Sequence, residues 1–341
     1  MAKILIFGGT GNISTPITKW LLECGDDVTI MRTGKNIVFP KAKNICGDCN
    51  SRSDKQTAAD EGPYDCVIDM LAFSRQQAQD DIEIFSGKTA QCIFCSTVNV
   101  FSAPAKRYPV TNESDRFPDP SFEYAYEKAQ MERMFEQAES NGAFHLTIIR
   151  PSATYNETGL PISMIAGGEV LITRILEGKP ILVPGDGNSI WSSTYRDDCA
   201  LAFVGAVMNP KAYGKTYNLV GDELFTWEEY YNTIAQAWDA PKPEFVHIAS
   251  DLIAACLPDY SGWAEVNFRH HVIFDSSDAK RDLGYAYRTT WLEGAKKQRQ
   301  WQKDNGGFVK AYLPIYDTFI EEYCRMAEQL KERIFSASSL P

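Results

Sequence analysis

Ile4-Leu5-Ile6-Phe7-Gly8-Gly9-Thr10-Gly11-Asn12-Ile13-Ser14 opens the chain with an apolar run, a glycine-rich turn and the start of a helical pattern. The run Ile4 to Phe7 predicts a buried strand. Thr15 to Glu23 predicts the first helix, closed by Gly25 where a left-handed residue is expected. Between the two, glycine at 8 permits a tight turn and glycine at 11 lets backbone approach a pyrophosphate. Amides at the helix start then face the anion, and the helix dipole favours its charge. Glycine patterns alone are weak, but a strand before and a helix after give the context of a dinucleotide cradle. Gly8, Thr10, Gly11, Asn12 and Ile13 are the expected cofactor contacts there. Ser14 stands where a third glycine is usual and should widen the helix–strand packing slightly.

Outward from this stretch, short apolar runs alternate with helical patterns. Val28 to Met31, Lys43 to Cys46, Cys66 to Met70, Gln91 to Ser96 and His145 to Ile149 read as strands. Arg75 to Phe85 and Tyr124 to Asn141 read as helices. The alternation predicts an α/β fold with a doubly wound parallel sheet of Rossmann type. Residues 1–155 are assigned to this dinucleotide-binding domain. Residues 156–341 form a smaller mixed α/β substrate region, from which 186–222 is expected to return to the first domain. Within it, Asp198 to Met208 and Glu228 to Trp238 read as helices and Thr216 to Val220 as a strand. The amphipathic stretch Tyr312 to Phe335 reads as a C-terminal helix docked on its own domain.

The 341 residues carry 34 basic and 45 acidic side chains, a formal charge of −11. A surface that negative repels a phosphate backbone, so nucleic acid is a poor partner. No apolar run approaches the roughly 18 residues that span a bilayer, which leaves a cytoplasmic protein without membrane attachment. The nine cysteines are odd in number and scattered, and the simplest reading is free, buried thiols. Cys92 and Cys95 lie three apart on a predicted strand and so point to opposite faces, which argues against zinc; no metal site is expected. His145, His247, His270 and His271 are too dispersed for a metal and read as structural. Asp197 and Asp198 read as a helix N-cap with a first-turn acid.

Two features bear on the cofactor. Strand two ends in Met31-Arg32-Thr33-Gly34-Lys35, where an acidic residue would bond the adenosine ribose. An arginine can instead stack on adenine and pair with a 2′-phosphate, so Arg32 with Lys35 favours NADP over NAD. Asp48, just past strand three, is placed to accept a hydrogen bond from the adenine amino group.

Tyr124-Ala-Tyr-Glu-Lys128 opens the long helix after strand five, and positions i and i+4 share a helix face. Tyrosine with its ordinary pKa of about 10 is a poor base, and a nearby ammonium would stabilise the phenolate. Spacing alone leaves a solvated helix face open as the alternative. The context is Phe94-Cys-Ser-Thr97-Val-Asn-Val-Phe101 at the end of strand five. This resembles the Ser-Ser/Thr-x-x-Val-Tyr-Gly segment of the extended short-chain dehydrogenase/reductase superfamily, the NAD(P)-dependent epimerase/dehydratase group. The cradle, Asp48, Thr97, Tyr124/Lys128, Arg150-Pro151, Pro184-Gly-Asp-Gly187, Asp197-Asp198 and Phe274 to Gly284 fall in that family's order, so the likeness covers most of the chain.

The resemblance implies that Tyr124 is the general acid/base and that Thr97 orients the reacting oxygen. It implies that Lys128 holds the nicotinamide ribose and lowers the tyrosine pKa. It implies too that Leu71, Pro151 and Ser152 line the nicotinamide crevice. Three departures narrow it. Dehydratases of the group carry Thr-Asp-Glu where this chain has Thr97-Val98-Asn99, so the groups for eliminating water are missing. Trp191 stands near the place of a diphosphate-gripping arginine, and tryptophan can stack on a ring but cannot neutralise phosphate. The short segment Asp69 to Gln91 and the Arg32-Thr-Gly-Lys35 ending are closest to an atypical branch that includes relatives of the chloroplast stem-loop RNA-binding proteins. The expected function is an NAD(P)-dependent oxidoreductase or epimerase acting on a sugar-like or other small hydroxyl/carbonyl substrate. A dinucleotide-sensing or RNA-binding protein on the same fold is the alternative, and a homodimer is the assembly considered.

Overall fold

The computed structural model describes residues 1–338; residues 339–341 of the expected second region lie outside it. By contact the chain divides into two compact units. Unit 1 comprises Met1–Asn156, Ser192–Leu224 and His271–Gly294, and unit 2 the remaining segments.

Unit 1 is built on a seven-stranded sheet. Its elements in chain order are β1 (Lys3–Phe7), α1 (Ser14–Glu23), β2 (Asp27–Arg32), β3 (Lys43–Cys46), α2 (Arg52–Asp60), β4 (Tyr64–Asp69), α3 (Arg75–Phe85), β5 (Thr89–Cys95), α4 (Glu123–Ser140) and β6 (His145–Pro151). The strand Lys215–Leu219 lies beside β6, and the sheet order from that edge runs β6, β5, β4, β1, β2, β3. Every pairing in it is parallel. This is the Rossmann arrangement that the alternating pattern predicts.

The apolar strand runs follow from burial of both sheet faces. Side chains alternate along a strand, so Ile4 and Ile6 face one layer with Ile30, Ile68 and Ile93, against Ile17 and Leu21 of α1 and Phe203 of the helix Arg196–Ala206. Leu5 and Phe7 face the other, with Met31, Val67, Ile84 and Phe85. Farther along that second layer, Phe94 and Ile148 pack on Met131 and Phe135 of α4. The helix Arg196–Ala206 starts two residues earlier than its sequence pattern suggests and is capped by Tyr195, not by an aspartate. Asp198 in its first turn is buried, and its Oδ2 accepts the Arg288 and Thr289 amides at 2.9 and 2.8 Å. That contact helps bring His271–Gly294 into unit 1.

Unit 2 is mixed α/β. The strand Ile181–Pro184 pairs in parallel with Phe245–Ile248, and Ile190–Trp191 pairs antiparallel with Phe225–Thr226. Trp191 is buried there, stacked on Trp227 at 4.8 Å with Phe268 edge-on at 5.0 Å. Its indole therefore fills the unit's aromatic core and is not presented to a ligand ring. The C-terminal helix Pro314–Ser338 buries Tyr316 and Ile320 in its first two turns. Met326, Leu330, Ile334 and Phe335 are exposed, so the docked-helix expectation holds for the first part alone.

Five of the nine cysteines are buried, whereas Cys24, Cys46, Cys256 and Cys324 are exposed free thiols, against the expectation of burial throughout. No helix among the described residues is long and apolar enough to cross a membrane.

Candidate active site

At a doubly wound sheet's change of strand direction the connections diverge and leave a crevice beyond the carboxyl ends of the strands. Here that place lies beyond β1 and β4, which pair with Phe7 opposite Asp69. A crevice of about 310 Å³ opens there. Gly11, Asn12, Ile13, Leu71, Thr97, Tyr124, Lys128, Pro151 and Ser152 line it, together with Met70, Phe73, Cys95 and Ser96. Gly8, Thr10, Arg32 and Asp48 do not.

The cradle divides its labour between two glycines. Gly9 has φ +79°, and a Cβ there would stand 2.5 Å from Ile30 Cγ2, so backbone and packing both require glycine. A Cβ on Gly11 would approach only Ser14 Oγ, at 3.3 Å, leaving its other side open to the crevice. Gly8, with φ +107°, donates its amide to Met31 O at 2.9 Å and lies under Leu71. Thr10 is half-buried between the glycines. Ser14 does more than occupy the third glycine position, because its Oγ accepts the Gly11 amide at 2.9 Å. The Asn12 and Ile13 amides have no hydrogen-bond acceptor among the described residues and sit at the positive end of α1. An anion held there would meet two unpaired donors, which is the fit that a dinucleotide pyrophosphate requires.

Tyr124 and Thr97 share a side-chain hydrogen bond at the mouth of this crevice. Thr97 Oγ1 also accepts the Asn99 amide at 3.2 Å, which fixes its rotamer. Burial pushes the Tyr124 phenol up to about 12; the field of Cys95 adds to this and the Thr97 hydrogen bond opposes it. Lys128, one helical turn on, is buried and donates to Ala72 O at 2.7 Å and Cys95 O at 2.8 Å. Its ammonium also lies 4.7 Å and 4.8 Å from the Phe73 and Phe94 ring centres. Burial pulls the lysine below its ordinary value, against the fields of Cys95, Asp69 and Glu132. The expected lowering of the tyrosine pKa by Lys128 is thus not met in this structure: two carbonyls hold the ammonium, and desolvation sets the phenol.

The remaining sequence-derived positions fall on nearby elements. Pro151 ends β6, and Ser152 donates its amide to Leu219 O at 2.9 Å, with its hydroxyl 3.2 Å from that of Thr194. Arg32 is turned back on its own loop, donating to Asn36 O at 2.6 Å and Asn36 Oδ1 at 3.0 Å. Asp48 Oδ1 accepts both the backbone and side-chain N–H of Asn50, each at 2.9 Å. Sequence reasoning missed Asp69, whose Oδ1 accepts the amides of Leu71 at 2.7 Å and Ala72 at 3.0 Å. Its signal was present: an acid closing the apolar run Cys66-Val-Ile68, whose side chains are all buried.

Comparison with known proteins bears on this arrangement. A sequence model of the NAD dependent epimerase/dehydratase family matches residues 4–220. The chain is 27% identical over 328 residues to the chloroplast stem-loop binding protein of 41 kDa b from Arabidopsis thaliana, covering 90% of this chain and 81% of that one. It is 30% identical over 189 residues to dTDP-glucose 4,6-dehydratase of Neisseria gonorrhoeae, or 54% and 52% of the two chains. Among solved structures, Pal from Bacillus thuringiensis superposes with a TM-score of 0.70 at 20% identity, over 89% of this chain and 99% of that one. The Thermotoga maritima UDP-glucose 4-epimerase, solved with UDP-glucose, superposes at 0.69 with 18% identity and the same coverage.

Proposed function

The chain belongs to the NAD dependent epimerase/dehydratase family, and from that premise we propose that it is a nicotinamide-dinucleotide-dependent oxidoreductase or epimerase acting on a sugar-like or other small hydroxyl/carbonyl substrate. The observation that carries this reading is a hydrogen-bonded Thr97–Tyr124 pair and a buried Lys128 lining one crevice with the unpaired amides of Asn12 and Ile13. When bound, the cofactor supplies the hydride chemistry. Asn12 and Ile13 receive its phosphates, while Leu71, Pro151 and Ser152 face the nicotinamide end and Lys128 the ribose. With a pKa near 12 the Tyr124 hydroxyl stays protonated in the free protein. It is therefore set up as a general acid that delivers a proton to a carbonyl oxygen, with Thr97 holding that oxygen in line.

Val98-Asn99 after the catalytic hydroxyl carries no acid, which leaves the acid/base role to Tyr124 and disfavours net water elimination. Arg32 and Lys35, rather than an acid, stand at the end of β2 and favour the 2′-phosphorylated cofactor, for which Arg32 must leave Asn36. A small-molecule substrate is the expected partner, and a cytoplasmic location and a homodimer accompany this reading.

The test is fluorescence titration of NADPH and NADH against wild type and Arg32→Asp. Wild type is expected to prefer NADPH and the variant to lose or reverse that preference. Binding of neither dinucleotide at micromolar concentration would overturn the proposal. The name of the Arabidopsis relative, a stem-loop binding protein, favours a second reading, a nucleic-acid stem-loop ligand. The charge of −11 opposes it. Salt-dependent binding of a stem-loop RNA without dinucleotide binding would establish that reading instead.

A further inference from the structure

Beneath the crevice floor lies a buried group of charges that the proposed chemistry does not use. Lys55 of α2, Asp69 of β4 and Asp81 of α3 are each at most 3% exposed. Lys55 Nζ donates to Asp81 Oδ1 at 2.6 Å and to Gln77 O at 3.3 Å. Burial and the field of Asp69 push the Asp81 carboxyl well above the usual carboxylate range. Oδ2 of each aspartate is buried without a hydrogen-bond partner among the described residues, so one proton shared between the two oxygens would satisfy both. One ammonium, one carboxylate and one carboxylic acid then sum to zero charge. Cys49 and Cys92 face the same group, and burial raises both thiols, Cys49 to about 12, so they add no charge.

We propose that Lys55, Asp81 and Asp69 act as a positioning chain, holding the Leu71–Ala72 backbone so that the Ala72 carbonyl fixes the Lys128 ammonium. This rests on the reading of Lys128 as part of the cofactor and catalytic machinery. Four successive amides of the turn after β4 are held by side chains: Asp69 Oδ1 takes those of Leu71 and Ala72, and Gln77 Oε1 those of Phe73 and Ser74. A turn on the surface of a site would ordinarily give these amides to water. Here they are claimed by acceptors anchored to α3 and α2, and the carbonyl of the same turn carries Lys128 at 2.7 Å. Among the described residues, no hydrogen bond joins Asp81 or Lys55 to a residue that lines the crevice. Their reach extends to the site through Asp69 and, for Lys55, also through Gln77, whose carbonyl it holds.

The experiment compares Asp69→Ala with Asp69→Asn in the full chain, following amide hydrogen exchange at Leu71 and Ala72 without ligand, and NADPH affinity by fluorescence. Asparagine keeps an oxygen for both amides and an N–H for Asp81; alanine keeps neither. The expected result is exchange at least a hundredfold faster and NADPH binding at least tenfold weaker in Asp69→Ala, with Asp69→Asn within threefold of wild type in both. The core variant Leu283→Ala, destabilised in the helix Ser277–Leu283 on the opposite layer of the sheet, should leave affinity unchanged. If Asp69→Ala does not fold, Asp81→Leu against Asp81→Asn makes the same comparison, with the leucine variant expected to lose affinity and the asparagine variant to keep it. Equal affinity in the disrupting variant and wild type, or an asparagine variant as impaired as the disrupting one, overturns the proposal. If wild type binds no dinucleotide the functional reading fails, while the exchange comparison still decides whether Asp69 holds the turn.

Discussion

The two cradle glycines make opposite demands, and substitution should separate them. Alanine at Gly9 meets Ile30 Cγ2 at 2.5 Å with φ at +79°, so it combines a left-handed strain with a core clash. Such combinations cost about 2–4 kcal/mol. Alanine at Gly11 meets only Ser14 Oγ, and it should cost under about 1 kcal/mol while its methyl projects into the crevice. The expected outcome is that Gly9→Ala lowers the denaturant midpoint and Gly11→Ala leaves it nearly unchanged but weakens dinucleotide binding. Equal loss of stability in both variants would contradict the structure. Sequence pattern alone assigns the tight turn to Gly8 and the close approach to Gly11. It does not reveal that Gly9 is the packed position, because the neighbour that forbids a side chain there, Ile30, is 21 residues away. What Asp69 holds was hidden for a similar reason. An acid at a strand end reads as solvated until the turn that folds over it is known.

At the level of elements, α4 carries the site and its own support on one face at four-residue spacing: Tyr124, Lys128, Glu132 and Glu136. The Tyr–Lys spacing was legible, and so was the helix. The third member was not, since its partner Arg150 comes from β6. Glu132 is fully buried and accepts Arg150 Nε at 2.7 Å and Nη2 at 2.8 Å, with Arg116 Nη1 at 2.7 Å. Burial works against the Glu132 carboxylate, but Arg150, Ser96 and Arg116 outweigh it and hold its pKa below the usual carboxylate value. A carboxyl lowered in the fold stabilises at pH values above its unfolded pKa, and that stability is lost as pH falls through the folded value. Glu132→Gln should therefore cost about 3–5 kcal/mol at pH 7, because it strands the buried Arg150 charge. The penalty should shrink in acid, where wild type loses the same interaction. Chemical denaturation at pH 7 and below pH 4 checks this. A penalty that does not change with pH would remove the ion pair from the account.

Across the whole molecule, sequence periodicity recovered the parallel sheet well because both of its faces are buried and each strand is a near-continuous apolar run. What it shows only in part is which later segments complete unit 1. The sequence places a boundary at residue 155, where the strand–helix alternation loosens, and expects 186–222 to return. In the structure the sheet and one of its covering layers take in Ser192–Leu224 and also His271–Gly294, which the pattern left in the second region. The strand Lys215–Leu219 pairs with β6 from Thr147 to Pro151. Phe203, Tyr217, Leu219 and Leu283 belong to the same buried cluster as Ile4, Ile6, Ile68 and Ile93. The strand pattern at Thr216 to Val220 announces the first return, but nothing local announces the second, because burial of a sheet face depends on what arrives to cover it. The consequence is testable with the fragment 1–156. On its own it would leave β6 as an unpaired, apolar edge and uncover much of one sheet face, a larger apolar surface than soluble monomers tolerate. The fragment is expected to keep far-ultraviolet ellipticity, bind an apolar dye and melt without a cooperative transition, as compact states without fixed packing do. A fragment that melts cooperatively with no dye binding would show that β1 to β6 and their helices suffice as a folding unit. In that case the segments 192–224 and 271–294 would be additions to a finished domain and not parts of its core.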